Sequence, residues 1–308
     1  MRTKQRAKPL GGADLHTHTT ASDGVLTPTQ LVNTAIKAGL QAIAITDHDN
    51  TEGILEARLA ATKGNKKGSK PLIEIIPGME IYAQDEEHQL YNIHLVGLFM
   101  DPSDMALKEF TQLMEQDRIN QKQKILDNLK KLGYPVALDE VKAFMTGSMM
   151  GRPHIARALM QKYPQTFKTV QDTFDRLLGD GKPAYVPNRK RLSFQEAIRL
   201  IKNAGGVAVL AHPGRYQHYW PKLFEVFKQC GGHAVEVYYS YHKNMTKMEE
   251  KFTKTLNQEA KKWAKKHGLL ESGGSDYHAL DKGEKLGGIR VPKASLEKLR
   301  KLSGSQEI

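Results

Sequence analysis

The chain has 308 residues, 39% of them hydrophobic and 26% charged, and its formal net charge is +12. This composition predicts a globular protein with a full core and excludes a chain that is mostly disordered. The positive charge favours polyanionic partners such as nucleic acid, although charge alone does not specify one.

The N-terminal segment, residues 1–12, is a basic, polar tail without the apolar stretch of a signal peptide. No later segment reaches the roughly 18 apolar residues that are needed to span a bilayer. Cys230 is the only cysteine, which excludes an intramolecular disulfide and a metal site built from paired thiolates. We therefore expect a cytoplasmic protein that binds no membrane, and nothing indicates an obligate protein partner.

The region after the tail, residues 13–102, begins with a strand–helix–strand pattern. Short apolar runs predict strands at 13–17 and 41–46, and the residues between them predict a helix at 28–38. Thr27 is a suitable N-cap for this helix, because its hydroxyl can accept from a free backbone N–H.

Two further strands are predicted in the same region, at 73–82 and 91–99. The acidic segment 84–89 between them is typical of a turn. The segment 60–70 is rich in lysine and glycine and is predicted to be a loop.

The character of the sequence changes at residues 103–182, which are predicted to form a helical insertion. Apolar residues recur there with helical spacing and no strand pattern is convincing. The predicted helices are 105–132, 138–144, 155–161 and 170–178.

Helices and strands alternate again in residues 183–308. Repeated steps of this kind predict a parallel sheet or barrel. The predicted helices are 194–203, 221–229 and 247–266, and the predicted strands are 207–210, 234–238 and 269–272.

Potential metal ligands lie at or just after these predicted strands. In barrel enzymes the catalytic residues gather at the C-terminal ends of the strands, where loops from distant segments meet. The ligands in this position are His16, His18, His48, Glu80, His94, His212, Asp276 and His278. Their repeated occurrence predicts a cluster of imidazoles and carboxylates at one end of an α/β barrel.

Two of these pairs have a spacing that suits chelation. His16 and His18 lie two residues apart on a strand and so point to the same side, and Asp276 and His278 do likewise if their segment is extended. A single histidine in such a place is more often a surface residue or a hydrogen-bonded core residue. The coincidence of many ligands, rather than any one of them, indicates a metal site.

Competing interpretations exist for three candidate ligands, Asp23, Glu80 and His94. Asp23 precedes Gly24, so a turn role is as plausible as a ligand role. Glu80, inside an apolar strand, would be buried and would need a cation or a donor to offset its desolvation. His94 is in a similar position, although one backbone carbonyl can satisfy a buried histidine.

These segments resemble the motifs of the PHP (polymerase and histidinol phosphatase) superfamily. The matching segments, in chain order, are DLHTHTTASDG, ITDHD, PGMEI, NIHLVG, AHP and GGSDYH. The resemblance covers residues 14–288, and within the superfamily the chain looks like the branch that contains RNase AM and the 3′,5′-nucleoside bisphosphate phosphatases.

The resemblance implies a distorted α/β barrel of seven βα units, formed by residues 13–102 and 183–308 and interrupted by the helical insertion. It also implies nine side chains that bind three metal ions at the strand ends. One ion would be held by His16, His18, Glu80 and Asp276; a second by Glu80 as a bridge with His94 and His212; and the third by Asp23, His48 and His278.

The ligand types indicate which metals fit. Imidazole mixed with carboxylate suits Mn²⁺, Fe²⁺ or Zn²⁺ better than an all-oxygen site for Mg²⁺ or Ca²⁺, and we expect Mn²⁺ first. Such ions activate water and clamp phosphoryl oxygens, so phosphoester hydrolysis is the predicted chemistry. Imidazole must be neutral to bind a metal, and the ions should be lost below roughly pH 6.

Residues beside the ligands are predicted to assist them. Asp47 and Asp49 flank His48 and are predicted to orient an imidazole N–H rather than to bind metal, and Asp47 is our candidate for a catalytic role. Arg215 and Tyr216 follow the predicted ligand His212 closely. We expect Arg215 to supply catalytic charge and substrate contacts, and Tyr216 a stacking face.

A candidate phosphate site lies in the insertion. Gly151-Arg152-Pro153-His154 opens a predicted helix, so Arg152, His154 and free backbone N–H groups could converge on an anion. The segment GRPHIARAL resembles a motif of the same branch. The alternative is an ordinary surface arginine before a helix. Lys182 and Tyr185 are further candidates.

The resemblance implies hydrolysis of the ester between a 3′ oxygen and phosphate in nucleotides that carry a 5′ phosphate. The substrates would be 3′,5′-bisphosphate nucleotides and 5′-phosphorylated RNA, the latter degraded from 5′ to 3′. Two alternatives remain: a small-molecule phosphatase of the histidinol phosphatase type, and a non-catalytic nucleic-acid-binding module, which would require a broken ligand set.

Overall fold

The computed structural model describes residues 11–63, 71–145, 150–187, 191–241, 247–279 and 285–304. Most of the predicted basic tail and the lysine-rich part of the predicted loop at 60–70 lie outside these ranges. The described residues fold into two compact units, one from Met1–Lys108 with Leu192–Ile308 and the other from Glu109–Arg191. The predicted insertion, residues 103–182, overlaps the second unit.

The first unit contains a curved sheet of eight strands. The strands are β1 (Ala13–Asp14), β2 (Ala42–Ile45), β3 (Glu74–Asp85), β4 (Leu90–Leu98), β5 (Leu192–Ser193), β6 (Val207–Leu210), β7 (Ala234–Tyr238) and β8 (Leu270–Gly273). They are ordered β1-β2-β3-β4-β6-β7-β8, and β5 pairs with β3. The predicted strands of both barrel segments are therefore present.

The sheet is mixed rather than fully parallel. Strand β4 runs antiparallel to both β3 and β6, whereas the other pairs are parallel. The turn predicted at 84–89 explains this difference, because a connection that short can join only antiparallel neighbours. The parallel pairing predicted for residues 183–308 is confirmed for β6, β7 and β8.

The two ends of the sheet meet. The backbone N–H of Leu15, just after β1, donates to Gly273 of β8 at 3.2 Å, and the N–H of His18 donates to Tyr277 at 3.0 Å. The N–H of Asp276 in turn donates to His16 at 2.9 Å. These bonds close the sheet into a distorted α/β barrel, which confirms the predicted fold class.

Ten α-helices accompany the strands in the described residues. They are α1 (Pro28–Lys37), α2 (Gly53–Thr62), α3 (Met105–Lys131), α4 (Leu138–Lys142), α5 (Arg152–Lys162), α6 (Val170–Thr173), α7 (Phe194–Asn203), α8 (Lys222–Gln229), α9 (Lys247–Lys266) and α10 (Lys293–Ser303). A π-helical turn covers Phe174–Leu178 and a 3₁₀ helix covers Pro213–Tyr219. The sequence prediction missed α2 and α10.

Two apolar clusters hold the barrel rigid. One lies among the strands and includes Leu15, Ile76 and Val209, all fully buried, together with Leu299 of α10. The other packs α1 and α2 against β2 and includes Leu31, Ile54 and Ile43. Because both clusters fix the strands by close packing, the loops that follow the strands start from fixed positions.

The described residues of the second unit form helices joined by turns and loops, without a strand. It contains most of α3, the helices α4 to α6 and the π-helical turn, and its core is formed by side chains such as Ile125, Leu159, Phe167 and Leu178. No helix in the described part of the chain is both long and apolar enough to cross a membrane.

Candidate metal centre

The nine predicted ligands converge at one end of the barrel, where they form three groups. Within each group, one ligand atom of every residue lies within 4.8 Å of the others. Cluster A is His16, His18, Glu80 and Asp276; cluster B is Glu80, His94 and His212; cluster C is His18, Asp23, His48 and His278. The grouping follows the one implied by the sequence resemblance, and His18 additionally lies within reach of cluster C.

Cluster A is fully enclosed. The Oε2 atom of Glu80 lies 3.3 Å from His16 Nε2 and 3.2 Å from His18 Nε2. Asp276 Oδ1 lies 3.4 Å and 3.2 Å from the same two nitrogens. Two carboxylate oxygens and two imidazole nitrogens thus face a common point.

Cluster B uses the other oxygen of the same carboxylate. Glu80 Oε1 lies 2.8 Å from His94 Nδ1 and 3.1 Å from His212 Nε2. Glu80 is only 1% exposed, so one buried carboxylate connects clusters A and B. This is the arrangement of a bridging ligand.

Cluster C lies nearest to solvent. Asp23 Oδ1 is 3.3 Å from His278 Nε2, and Asp23 Oδ2 is 3.9 Å from His48 Nε2. The side chain of Asp23 is 49% exposed, whereas that of His278 is 11% exposed. An aspartate that half faces water could hold an ion that substrate can also reach.

The donor atoms fit divalent cations. His16 Nε2, His18 Nε2 and Asp276 Oδ1 are buried and make no hydrogen bond with any described residue. Buried polar atoms without a hydrogen bond are costly and rare, and a shared cation would satisfy all three at once. The mixture of imidazole and carboxylate is that of transition-metal sites.

The electrostatics of the pocket agree with this fit. Burial lowers the pKa of His48 to about 4 and that of His212 to about 3, so both imidazoles are neutral at pH 7, as metal binding requires. Although burial opposes it, the carboxylates of Glu236, Glu80 and Asp276 raise the pKa of His16. The buried carboxylates beside these imidazoles are the groups that a bound cation would neutralise.

Two ligands have unusual backbone conformations. His212 has φ 29° and Asp276 has φ 53°, values that side chains other than glycine rarely adopt. Gly274 lets the segment before Asp276 approach cluster A, since a Cβ there would lie 2.4 Å from the His16 nitrogen. Such strain is concentrated at functional sites, where the surrounding contacts maintain it.

Glu236 holds the unusual backbone of His212 in place. The sequence analysis missed this residue. It lies in β7 and is 1% exposed, and its Oε1 accepts from His16 Nδ1 at 2.9 Å while its Oε2 accepts from the His212 backbone N–H at 2.6 Å. One carboxylate thus orients a ligand of cluster A and fixes the backbone of a ligand of cluster B. A carboxylate within the apolar strand AVEVY was the signal that could have identified it, as it did for Glu80.

The prediction for Asp47 needs correction. Its carboxylate accepts from the backbone N–H and hydroxyl of Thr19, both at 2.7 Å, and from the Ser22 hydroxyl at 2.5 Å, rather than from an imidazole directly. The Ser22 oxygen lies 3.5 Å from His18 Nδ1, so the Asp47 carboxylate is linked to an imidazole through Ser22. The backbone carbonyl of Asp47 also accepts from the N–H of Glu80 at 3.3 Å. Asp49, also predicted to orient an imidazole, is buried beside the site with φ 50°.

Arg215 lies at the edge of the centre, as its position in the sequence suggested. Its Nη2 donates to Asp276 Oδ2 at 3.0 Å and to the Tyr239 hydroxyl at 2.5 Å, and its side chain is 48% exposed. Tyr239, which the sequence analysis did not identify, also donates to Asp276 at 2.7 Å. The guanidinium is thus fixed at one nitrogen while about half of the side chain faces solvent.

Tyr216 does not offer the predicted stacking face. It is only 7% exposed, and its hydroxyl accepts from the backbone N–H of His94 at 3.2 Å. Its ring lies 5.6 Å from that of His212. Tyr216 therefore contacts two residues of cluster B, the backbone of His94 and the ring of His212.

The predicted phosphate-site residues lie in the second unit. Arg152 Nη1 donates to the carbonyl of Leu178 at 3.0 Å and to Asp180 Oδ1 at 2.8 Å. His154 Nδ1 accepts from the Gly151 backbone N–H at 2.9 Å and so caps α5. The Tyr185 ring lies 5.1 Å from the Arg152 guanidinium carbon, and Lys182 is exposed.

The closed α/β barrel and the shared His, Asp and Glu clusters at its strand ends define a metal-dependent phosphoesterase. The PHP domain model matches residues 14–209 of the chain. The chain therefore belongs to the PHP domain family.

Relatives and solved structures agree with this assignment. The chain is 37% identical over 270 residues to a 5′-3′ exoribonuclease of Haemophilus influenzae, with 86% of this chain and 89% of that protein covered. It is 31% identical over 278 residues to a 3′,5′-nucleoside bisphosphate phosphatase of Chromobacterium violaceum, covering 89% and 90%. A protein described as a metal-dependent phosphoesterase from Bifidobacterium adolescentis superposes with a TM-score of 0.77 at 27% identity, covering 98% and 99%.

Replacing Glu236 by Gln should weaken metal retention. Glutamine keeps one acceptor oxygen but turns an N–H group towards either His16 or the His212 backbone, so one of the two hydrogen bonds becomes a clash. Loss of such an orienting partner typically costs about 10–100-fold in metal affinity. Titration of the purified protein with a competing chelator would measure the change.

Glu271→Gln is the matched control, because Glu271 lies on the neighbouring strand β8 and bonds Tyr238 and Lys261 instead of a ligand. We expect its metal affinity to stay at the wild-type value. Equal affinity in Glu236→Gln and wild type, with the fold intact by circular dichroism, would contradict the role given to Glu236.

Proposed function

We propose that the enzyme hydrolyses the ester between a 3′ oxygen and phosphate in nucleotides that carry a 5′ phosphate. The observation that carries the proposal is the set of three ligand clusters around Glu80, at the end of a PHP barrel. The choice of substrate is supported by the relatives, which are named as a 5′-3′ exoribonuclease and a 3′,5′-nucleoside bisphosphate phosphatase.

A single activity would serve both substrates. In a 3′,5′-bisphosphate nucleotide, water attacks the 3′ phosphorus and releases a 5′-mononucleotide and phosphate. In a 5′-phosphorylated RNA, the same cut after the first nucleotide releases a mononucleotide and leaves a new 5′ phosphate on the shortened chain. Repetition of that cut is 5′→3′ exoribonuclease action.

The clusters would hold three divalent ions, with Mn²⁺ the first choice and Fe²⁺ or Zn²⁺ as alternatives. Cluster A would hold one ion, cluster B a second through the shared Glu80, and Asp23, His48 and His278 of cluster C a third. When bound, such ions supply a nucleophile from water near neutral pH and neutralise charge on the phosphoryl oxygens.

The chain's own residues would position and stabilise the reacting group. The guanidinium of Arg215 is held at Nη2 by Asp276 and Tyr239. A guanidinium has five N–H donors, so the remaining N–H groups can contact a phosphoryl oxygen. Asp47, through Ser22, would keep His18 in the orientation that presents Nε2 to cluster A. Both contacts exist before substrate binds and cost no reorganisation during the reaction.

The charge of the chain supports a polyanionic substrate. A formal charge of +12 raises the local concentration of RNA and speeds encounter at low ionic strength. RNA and nucleotides are cytoplasmic substrates, and we place the enzyme in that compartment.

Removal of metal should abolish hydrolysis, because the nucleophile and the phosphoryl clamp both depend on the ions. We expect close to three divalent ions per chain in the purified enzyme by elemental analysis, and recovery of activity when Mn²⁺ is restored after chelation. Full activity after exhaustive chelation, verified by elemental analysis, would contradict the proposed mechanism.

Arg152→Ala should slow cleavage of RNA that carries a 5′ phosphate and leave the slow cleavage of 5′-hydroxyl RNA nearly unchanged. A charge-assisted contact is worth roughly 1.5–3 kcal/mol, about one to two orders of magnitude in rate at low substrate. Initial rates on the two RNAs, for wild type and variant, measure the effect.

Asp180→Ala is the control for a structural role of Arg152. The Asp180→Ala variant loses the ion pair with Arg152 but retains the Arg152 guanidinium. The side chain of Asp180 is 77% exposed, so its removal leaves no buried cavity. We expect it to cleave 5′-phosphorylated RNA at least as fast as wild type. Equal slowing of both RNAs by Arg152→Ala, with the same loss in Asp180→Ala, would assign Arg152 to structure alone.

A further inference from the structure

A pair of aromatic rings lies on the surface of the first unit, close to the metal centre. His218 and Tyr219 are the last residues of the 3₁₀ helix Pro213–Tyr219, which starts directly after the cluster B residue His212. His218 is exposed and Tyr219 is half-buried, and the centroids of their rings are 4.0 Å apart. Neither ring belongs to the two apolar clusters that hold the barrel. Packing of those clusters therefore does not account for the pair.

The residues on either side of the pair anchor the 3₁₀ helix. Tyr216 is buried, and its hydroxyl accepts from the backbone N–H of His94. The indole N–H of Trp220 donates to the carbonyl of Pro213 at 3.2 Å, and the Trp220 ring meets the buried ring of Phe224 edge-on at 5.2 Å. The pair is thus carried by a segment that is anchored before and after it. A preorganised surface of this kind loses little conformational freedom when a ligand binds to it.

The pair is also close to Arg215, which borders the metal centre through its hydrogen bond with Asp276. Arg215 and His218 are three positions apart in the chain. Because a chain extends by at most about 3.6 Å per residue, their Cα atoms lie within about 11 Å of each other. Successive nucleotides of a stacked strand are about 3.4 Å apart. An RNA strand whose scissile phosphate lies at the metal centre would therefore reach the pair within its next few nucleotides.

Two cations flank the aromatic pair along the chain. Arg215 precedes it with a half-exposed side chain, and Lys222 follows it as the first residue of α8. Lys222 is exposed, and its ammonium donates to the backbone carbonyl of His88 at 3.4 Å, a neutral group that does not cancel its charge. Surfaces that bind single-stranded nucleic acid combine such cations, which contact phosphates, with aromatic rings on which bases stack. The arrangement thus suits RNA in both charge and shape.

We propose that His218 and Tyr219 form a stacking platform for a base of the RNA strand on the 3′ side of the scissile phosphate. The inference rests on the proposed function, because it concerns the RNA substrate of the same metal centre. A 3′,5′-bisphosphate nucleotide has no nucleotide beyond its 3′ phosphate, so only RNA can use the platform. The platform therefore favours the polymer over the bisphosphate nucleotide.

The test compares Tyr219→Ala and His218→Ala with two control variants in the full-length, metal-loaded enzyme. Gln217→Ala is the matched control, since Gln217 is exposed on the same 3₁₀ helix but has no ring. Tyr219→Phe keeps the ring and removes only the hydroxyl. For each variant, kcat and KM are measured with a short 5′-phosphorylated RNA and with a 3′,5′-bisphosphate nucleotide.

We expect Tyr219→Ala to lower kcat/KM for RNA about tenfold, mainly through a higher KM, and to leave hydrolysis of the bisphosphate nucleotide unchanged. His218→Ala should have a smaller effect of the same kind, because an imidazole offers a smaller face. Tyr219→Phe and Gln217→Ala should match the wild-type enzyme on both substrates.

A change in the substrate identifies the base that stacks. RNAs that lack one base, at the second, third or fourth nucleotide, are compared with the intact strand in the rate at which the first nucleotide is released. At one of these positions, loss of the base should slow the wild-type enzyme about as much as Tyr219→Ala does. Combining the abasic RNA with Tyr219→Ala should cost little more than either change alone, since both remove the same contact.

A binding measurement separates this inference from the proposed function. Fluorescence anisotropy of a 3′-labelled RNA with a 5′ hydroxyl reports binding without requiring cleavage. If the wild-type enzyme hydrolyses neither the RNA nor the bisphosphate nucleotide, the proposed function is wrong. Weaker RNA binding by Tyr219→Ala than by Gln217→Ala would then still support the platform.

Three results would overturn the inference. The first is unchanged RNA binding and cleavage in a double variant, His218→Ala with Tyr219→Ala, that is folded by circular dichroism. The second is an equal loss of activity on RNA and on the bisphosphate nucleotide in Tyr219→Ala, which would assign the residue to support of the metal centre. The third is an equal loss in Gln217→Ala, which would indicate a general disturbance of the 3₁₀ helix.

Discussion

The structure of the metal centre depends on one buried carboxylate. Glu80 is 1% exposed and lies within 3.3 Å of nitrogens from His16, His18, His48, His94 and His212. Burial alone would raise the pKa of Glu80, but the surrounding imidazoles, His16 first among them, hold it well below its usual range. A carboxylate that stays ionised inside a protein must be offset by positive charge. Cations shared between clusters A and B would provide that charge.

The barrel makes this concentration of ligands possible. Ligands come from segments far apart in the chain, and closure of β1 against the segment after β8 brings His16 and Asp276 together through a backbone hydrogen bond of 2.9 Å. Glu236 then couples His16 to the strained backbone of His212. Positions held by backbone pairing and by a buried carboxylate change little when substrate binds, which is what preorganised catalysis requires.

The sequence predicted the elements well where a local signal existed. Helix α7 and strands β6 and β7 were predicted with the bounds that the structure has, because capping residues and apolar runs mark them. It also predicted the convergence of the nine ligands. It did not predict that β4 would pair antiparallel with β6, or that Tyr216 would be buried, since both follow from packing between distant segments. Glu236 was missed for a related reason: its partners, His16 and the His212 backbone, are brought to it only by closure of the barrel.

The metal centre concentrates buried charge that its ligands would neutralise. In the barrel, buried carboxylates gather around the imidazoles, and shared cations would offset their charge. Ligands that bind only the folded chain add to its stability in proportion to their binding free energy. Buried charge that lowers the stability of the free protein would thus contribute to the binding of metal. A chain selected for stability alone would have apolar residues at these positions.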